Sequence, residues 1–168
     1  VVADIGREFN GFRQLTGSCV GVSAGNAICT LSAIQRTLAE SPTKAFIPWW
    51  GFPYGRTRWN QGDRGQGEGA VVSIMARTLK EGGVFGIDEI PDEPPFDDSD
   101  GLALTRKQEF AYSDGAYPGN TKYLDLGKKH PLGTAAPLTS IQDVKKAIIN
   151  GYPVNNGCSM YPAGGRMS

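Results

Sequence analysis

The chain reads as an α+β protein in which helices dominate and a few short strands stand apart from them. Three observations predict this. Apolar residues recur with helical spacing after Cys19, after Gly69 and after Ser140. Pro or Gly closes each of those stretches, at Pro42, Gly82 and Gly151. The region between the second and third stretch, about Asp97 to Thr139, is polar and rich in Gly and Pro. It suits loops with one or two short strands, the best candidate being Glu109 to Tyr112.

The first helix spans about Cys19 to Ala39, with Val20, Ala24, Ala27, Ile28, Leu31, Ile34 and Leu38 along one face. Ser41-Pro42 ends it, because proline disfavours helix at the residue before it. Phe46 to Tyr54 holds Trp49-Trp50 and two prolines; it is expected not to be a regular helix and to serve as packed wall. The second helix runs from about Gly69 to Lys80, and Gly82-Gly83 can supply a left-handed cap. Ser140-Ile141-Gln142-Asp143 is close to a capping box and opens a third helix with Val144, Ile148 and Ile149 on one face.

The start of the first helix carries the strongest chemical signal. Thr16-Gly17-Ser18-Cys19 sets a cysteine behind a tight Gly-Ser turn. The helix dipole and the open N–H groups of the first turn favour an anion there, so they stabilise a thiolate at Cys19, the nucleophilic form. A small apolar residue under a helix is the other use of that position. Cys29, ten residues further along the same helix, reads as packing, and Cys158 as structural.

Composition limits the function classes. The 168 residues are 39% hydrophobic and 20% charged, enough for one globular domain or the larger part of one. Seventeen basic residues balance seventeen acidic ones, which favours neither nucleic acid nor an anionic membrane as partner. No apolar run approaches the ~18 residues that span a bilayer, and Val1-Val2-Ala3-Asp4 is not a signal peptide. Three cysteines form no disulfide framework, which points to a reducing compartment or a prokaryotic or viral lineage, in the cytoplasm or a virion. The first residue is not Met, so a processed product or an internal piece of a longer chain is expected. No Cys/His cluster suggests zinc, and no cofactor is expected. Asp97-Asp98-Ser99-Asp100-Gly101 lacks the distal Glu of a calcium loop and reads as a solvated turn, so no metal is expected either.

Several features occur in the order found in papain-like cysteine peptidases. Gln14, Gly17, Ser18, Cys19, Ser23 and Ala24 are similar to that family's segment around the nucleophile. Gly65-Gln66-Gly67-Glu68-Gly69-Ala70 resembles its Gly-rich turn before a second helix, with Gly82-Gly83-Val84-Phe85 after it. Asp88 to Pro95 resembles its acidic, Pro-rich segment. Ile141 to Val154, with Gly151-Tyr152-Pro153-Val154, resembles its short helix leading into a core strand. The ordered set covers roughly residues 10 to 155.

The resemblance implies a papain-like fold: a helical subdomain over 1–125 with a central Cys-bearing helix, and the start of a β-rich subdomain over 126–168. It implies peptide-bond hydrolysis through a thioester, with Cys19 as nucleophile, Gln14 as oxyanion donor, and Gly65, Gly67 and Gly69 lining the substrate cleft. Gln14 stands five residues before Cys19 where the family commonly has six; Asn10 is the fallback donor, and an exposed loop amide the alternative for Gln14. The glycine turn also suits a plain start to a helix. Val20 replaces the large residue that usually follows the nucleophile. The only histidine, His130, precedes the third helix, whereas the family's catalytic His follows it, so His130 reads as a solvated loop residue. The chain is therefore expected to stop before the catalytic His, or else to keep the fold without the activity. The two functional readings are a thiol peptidase acting on a peptide or protein, and a catalytically inactive module bound to other subunits of a large assembly such as a phage virion.

Overall fold

The computed structural model describes residues 11–12, 14–15, 17–41, 45–63, 68–89 and 121–155. Its elements are α1 (Cys19–Leu38), α2 (Gly51–Gln61), α3 (Val72–Gly82), a 3-10 turn (Ile87–Glu89), α4 (Thr121–Lys128) and α5 (Ile141–Ile149). α1 matches its expected span, and α3 begins three residues and ends two residues later than the sequence suggests.

The core forms where α2 lies across α1. Val20, Gly21, Val22, Ala24, Gly25, Cys29 and Ala33 make the buried face of α1. Close approach depends on its two glycines. A Cβ on Gly25 would stand 2.7 Å from the Cβ of Trp50, and one on Gly21 would stand 2.7 Å from the Cβ of Tyr54. Trp50 and Tyr54 are fully buried, and Phe12 also packs over Gly25. Cys29 is fully buried, in keeping with a packing role.

The aromatic segment is a wall, as expected, but its second half is helical. α2 begins at Gly51 and contains Pro53. Proline is tolerated there because it is the third residue of the helix, where no N–H has an intrahelical acceptor; the first such bond runs from Tyr54 N–H to Trp50 O at 3.2 Å. Upstream, Pro48 and Gly86 form an antiparallel bridge, with Trp49 N–H donating to Phe85 O at 2.8 Å and Ile87 N–H to Ile47 O at 3.0 Å. Phe85 then lies edge-on to Trp49 and stacks on Tyr123 of α4, at centroid distances of 6.0 and 5.7 Å.

α4 falls inside the region read as loops and short strands. Tyr123, Leu124 and Leu126 pack half-buried against the core. Gly127 and Gly83 let the end of α4 touch the end of α3, since a Cβ on Gly83 would overlap the Gly127 carbonyl at 1.9 Å. Gly83 closes α3 with φ +65° and ψ −161°, a positive-φ conformation that favours glycine but not the left-handed helical cap expected there.

α5 starts where the capping signal places it: Ser140 Oγ accepts from Asp143 N–H at 3.1 Å and donates to Asp143 Oδ2 at 2.7 Å. Its expected apolar face is largely exposed. Ile148 and Ile149 are 61% and 83% exposed, and Val144 is only half-buried. The chain then turns back along α1. A Cβ on Gly151 would lie 3.8 Å from Ile34, and Asn155 Oδ1 accepts from Ser23 Oγ at 2.9 Å. Residues 152–155 pair with no strand among the described residues. Glu109 to Tyr112, Asp88-to-Pro95 beyond Glu89, the Asp97 turn and Cys158 lie outside the described residues, as does the chain after Asn155.

Candidate functional site

Cys19 is the first residue of the 20-residue helix α1, and its side chain is exposed. The loop that delivers it is anchored from below: Phe12 is buried, and its N–H donates to Asn26 Oδ1 on α1 at 2.9 Å. Ser18, fully buried, occupies the N-cap position, but its side chain makes no capping bond to the helix. Val22 N–H is the first to find a helical acceptor, Ser18 O at 3.1 Å. Among the described residues nothing takes the N–H groups of Cys19, Val20 or Gly21. An exposed thiol therefore stands beside three open donors at the positive end of a helix dipole, a setting that receives negative charge.

The Gly-rich turn comes to this mouth. Gly17 N–H donates to the Glu68 carboxylate, and a Cβ on Gly17 would stand 2.6 Å from the Cβ of Glu68. Gly69 follows with φ +101°, a conformation that favours glycine, and a Cβ there would stand 4.0 Å from Gly17 O. Both polar groups of Gly69 point into the body of the protein. Its N–H donates to Tyr54 Oη at 3.2 Å, and its carbonyl accepts from Arg58 Nη1 at 2.7 Å. Gly69 is thus the anchor of the turn, and its main chain is not open to a ligand. Gly65 and Gly67 lie outside the described residues.

Arg58 makes this anchor firm. It is 1% exposed, sits on α2, and reaches Asp63 Oδ2 at 3.3 Å as well as Gly69 O. A buried guanidinium holding a carbonyl and a carboxylate is costly to disturb, because losing one partner leaves a desolvated charge. Gln61 adds bonds from the end of α2, donating to Asp63 and accepting from Val71 N–H at 3.1 Å. Tyr54, Arg58, Gln61, Asp63 and Glu68 were not singled out by the sequence. The signal lay in Arg58 and Asp63 flanking Gly62, but only the fold shows that they close on Gly69.

Gln14 lies on the exposed loop before Cys19. Asn10 lies outside the described residues. Ser23 is one turn below Cys19 on the same face of α1, and through Asn155 it brings the C-terminal segment to this end of the helix. His130 is elsewhere, and it is not simply solvated. Its Nε2 is 3.0 Å from Glu89 Oε1, and its ring lies 5.0 Å from that of Phe46. Phe46 N–H in turn donates to Ser32 Oγ at 2.8 Å. Ser32 is thirteen residues along α1 from Cys19, about 20 Å at 1.5 Å per residue. Glu89 is partly buried, which opposes its ionisation; bonds from Gly86 N–H and His130, with the charges of His130 and Lys129, outweigh this and hold its carboxyl below the ordinary 4.5.

Among the described residues no group of three or more His, Cys, Asp or Glu is arranged to hold a metal, and no helix is long and apolar enough to cross a membrane. Compared with family models, curated proteins and solved structures, the chain has no significant match.

Proposed function

We propose that the chain is a papain-like thiol peptidase whose nucleophile is Cys19. The observation that carries this reading is the exposed Cys19 thiol on the first residue of α1, beside first-turn N–H groups that no described residue occupies. In the reaction, the Cys19 thiolate attacks the scissile carbonyl carbon, forming a C–S bond while the carbonyl electron pair moves to oxygen. The Cys19 N–H and its first-turn neighbours receive that oxyanion. Collapse breaks the C–N bond, and the leaving amine takes a proton from solvent, to which the Cys19 thiol returns one when the thiolate is regenerated. Water then adds to the thioester and releases the carboxylic acid and the free thiol. The substrate is a peptide or protein. Gln14 is the side-chain oxyanion donor of this reading, and the turn anchored at Gly69, to which Gly65 and Gly67 belong in sequence, is the segment it assigns to the substrate cleft. The location that goes with it is the cytoplasm or a virion of a bacterial or phage system.

One observation favours the second reading, a module with the fold but no activity. The only histidine of the sequence, His130, is paired with Glu89 and lies against Phe46, whose N–H bonds Ser32 thirteen residues along α1 from Cys19, so among the described residues no histidine is joined to Cys19 as its base. A peptidyl epoxide separates the two. The peptidase reading predicts one adduct per chain, at Cys19, and none in Cys19→Ala, whose unfolding midpoint stays unchanged because the side chain is exposed. No adduct in the native protein, or an adduct that persists in Cys19→Ala, overturns it in favour of the inactive module.

A further inference from the structure

We infer that Glu68 is a positioning residue for Cys19: its carboxylate fixes the peptide from which α1 starts, and with it the thiol, an inference that rests on the reading of Cys19 as the nucleophile. The start of α1 lacks its usual lock. An N-cap serine commonly accepts an N–H of the first turn and so sets the angle at which the chain enters the helix. Ser18 has φ −83° and ψ 17°, outside the extended region of such a cap, and its side chain makes no capping bond to the helix. The bond that holds this turn comes from fifty-one residues away, where Glu68 Oε2 accepts from Gly17 N–H, one residue ahead of the cap. In a capping box a glutamate of the first turn reaches back to the N-cap N–H. Here a glutamate from another segment does the equivalent one residue earlier.

A hydrogen bond positions its donor only when the acceptor is itself fixed, and Glu68 is. The next residue, Gly69, is tied by its N–H to Tyr54 Oη at 3.2 Å and by its carbonyl to Arg58 Nη1 at 2.7 Å. Both partners are buried on α2. α2 in turn packs Trp50 and Tyr54 onto Gly25 and Gly21 of α1. The links close a ring: from Cys19 along α1 to Gly21, across to Tyr54, out through Gly69 to Glu68, and back to Gly17. The loop lies directly on the glutamate, since a Cβ on Gly17 would stand 2.6 Å from Glu68 Cβ, 2.9 Å from its Oε2 and 3.3 Å from Gly69 N.

Glu68 itself is exposed, so its bond orders the head of α1 from outside the core. The carboxylate also has an effect of the opposite sign, because a negative charge opposes a thiolate nearby. What favours the nucleophile is therefore the acceptor that Glu68 supplies and not its charge. With that acceptor in place, the first-turn N–H groups of α1 keep a fixed direction relative to the Cys19 thiol, which is the condition for the helix end to stabilise the thiolate.

Glu68→Gln and Glu68→Ala separate the two effects, because both remove the charge and only glutamine keeps an acceptor. The full chain and the two variants are treated with iodoacetamide at pH 6, adducts at Cys19 are followed by mass, and urea unfolding midpoints are recorded. Glu68→Ala is expected to react at Cys19 about fivefold more slowly than Glu68→Gln, while the two variants unfold at the same midpoint. Equal rates in the two variants, or a slower Glu68→Gln, overturn the inference. A midpoint of Glu68→Ala that falls together with the rate also overturns it, by making the glutamate a structural residue only. Iodoacetamide alkylates any exposed thiol, so this ratio decides on Glu68 whether or not the native protein takes a peptidyl epoxide; absence of the epoxide adduct overturns the peptidase reading alone.

Discussion

α1 and α5 are both amphipathic helices legible from their sequence, and they meet opposite fates. The inner face of α1 is closed over by Trp50, Tyr54 and Phe12, so closely that two of its positions must be glycine. The apolar face of α5 is met by no comparable surface, and Ile141, Ile148 and Ile149 remain more than half exposed. A hydrophobic stripe states which face of a helix is to be covered; it does not state what covers it. For α1 the cover comes from a segment close in sequence, and for α5 it does not come from the described residues.

Substitutions along the two helices break or sharpen that contrast. The largest effect is expected at the covered helix. Trp50→Ala empties the centre of the core and should cost about 3–5 kcal/mol in urea unfolding; a loss below ~1 kcal/mol would mean that the α1–α2 contact is not the main source of stability. Gly25→Ala adds a methyl where 2.7 Å separates the new atom from the Trp50 Cβ. Since backbone must shift to admit it, a loss of roughly 1–3 kcal/mol is expected, although alanine is the better helix former.

At α5 the expected effects are local. Ser140→Ala removes the N-cap and should lower the helicity of α5, at a cost of about 1 kcal/mol to that helix, with the core transition unmoved. The same cap sets a pH dependence. The Ser140 hydroxyl, then Thr139, hold the Asp143 carboxyl below its ordinary 3.8. A carboxyl lowered in the folded state contributes above 3.8, and the contribution fades as pH falls through the folded value. Backbone chemical shifts of α5 should therefore stay constant from neutral pH down to 3.8 and move toward coil below it, and this should vanish in Ser140→Ala. The smallest effect is expected for Ile149→Ser, within about 0.5 kcal/mol for a side chain 83% exposed. A loss above ~1.5 kcal/mol would show that something does cover α5.

The same contrast explains what the sequence disclosed. α1, α3 and α5 carry long periodic stripes with clear stops, and all three stand close to their expected spans. α2 was hidden because Pro53 and a run of aromatics obscure the period, yet a proline within the first turn removes no helical bond. α4 was hidden because eight residues give barely two turns, with Gly127 inside. At the candidate site, Cys19 and Gly69 could be found from local signals, a helix start and a glycine run. Arg58, Tyr54 and Glu68 could not. Their roles arise only when α2 folds back and brings Gly69 beside Gly17, a contact between residues about fifty positions apart.

The central claim is that the head of α1 makes Cys19 a nucleophile, and site-resolved alkylation tests it most directly. Native protein is treated with iodoacetamide at pH 6, with free cysteine as the reference thiol, and adducts at Cys19 and Cys29 are followed by mass. The account predicts that Cys19 reacts about tenfold faster than free cysteine or more, while buried Cys29 stays unmodified until the protein unfolds. Cys19 reacting no faster than free cysteine would contradict it.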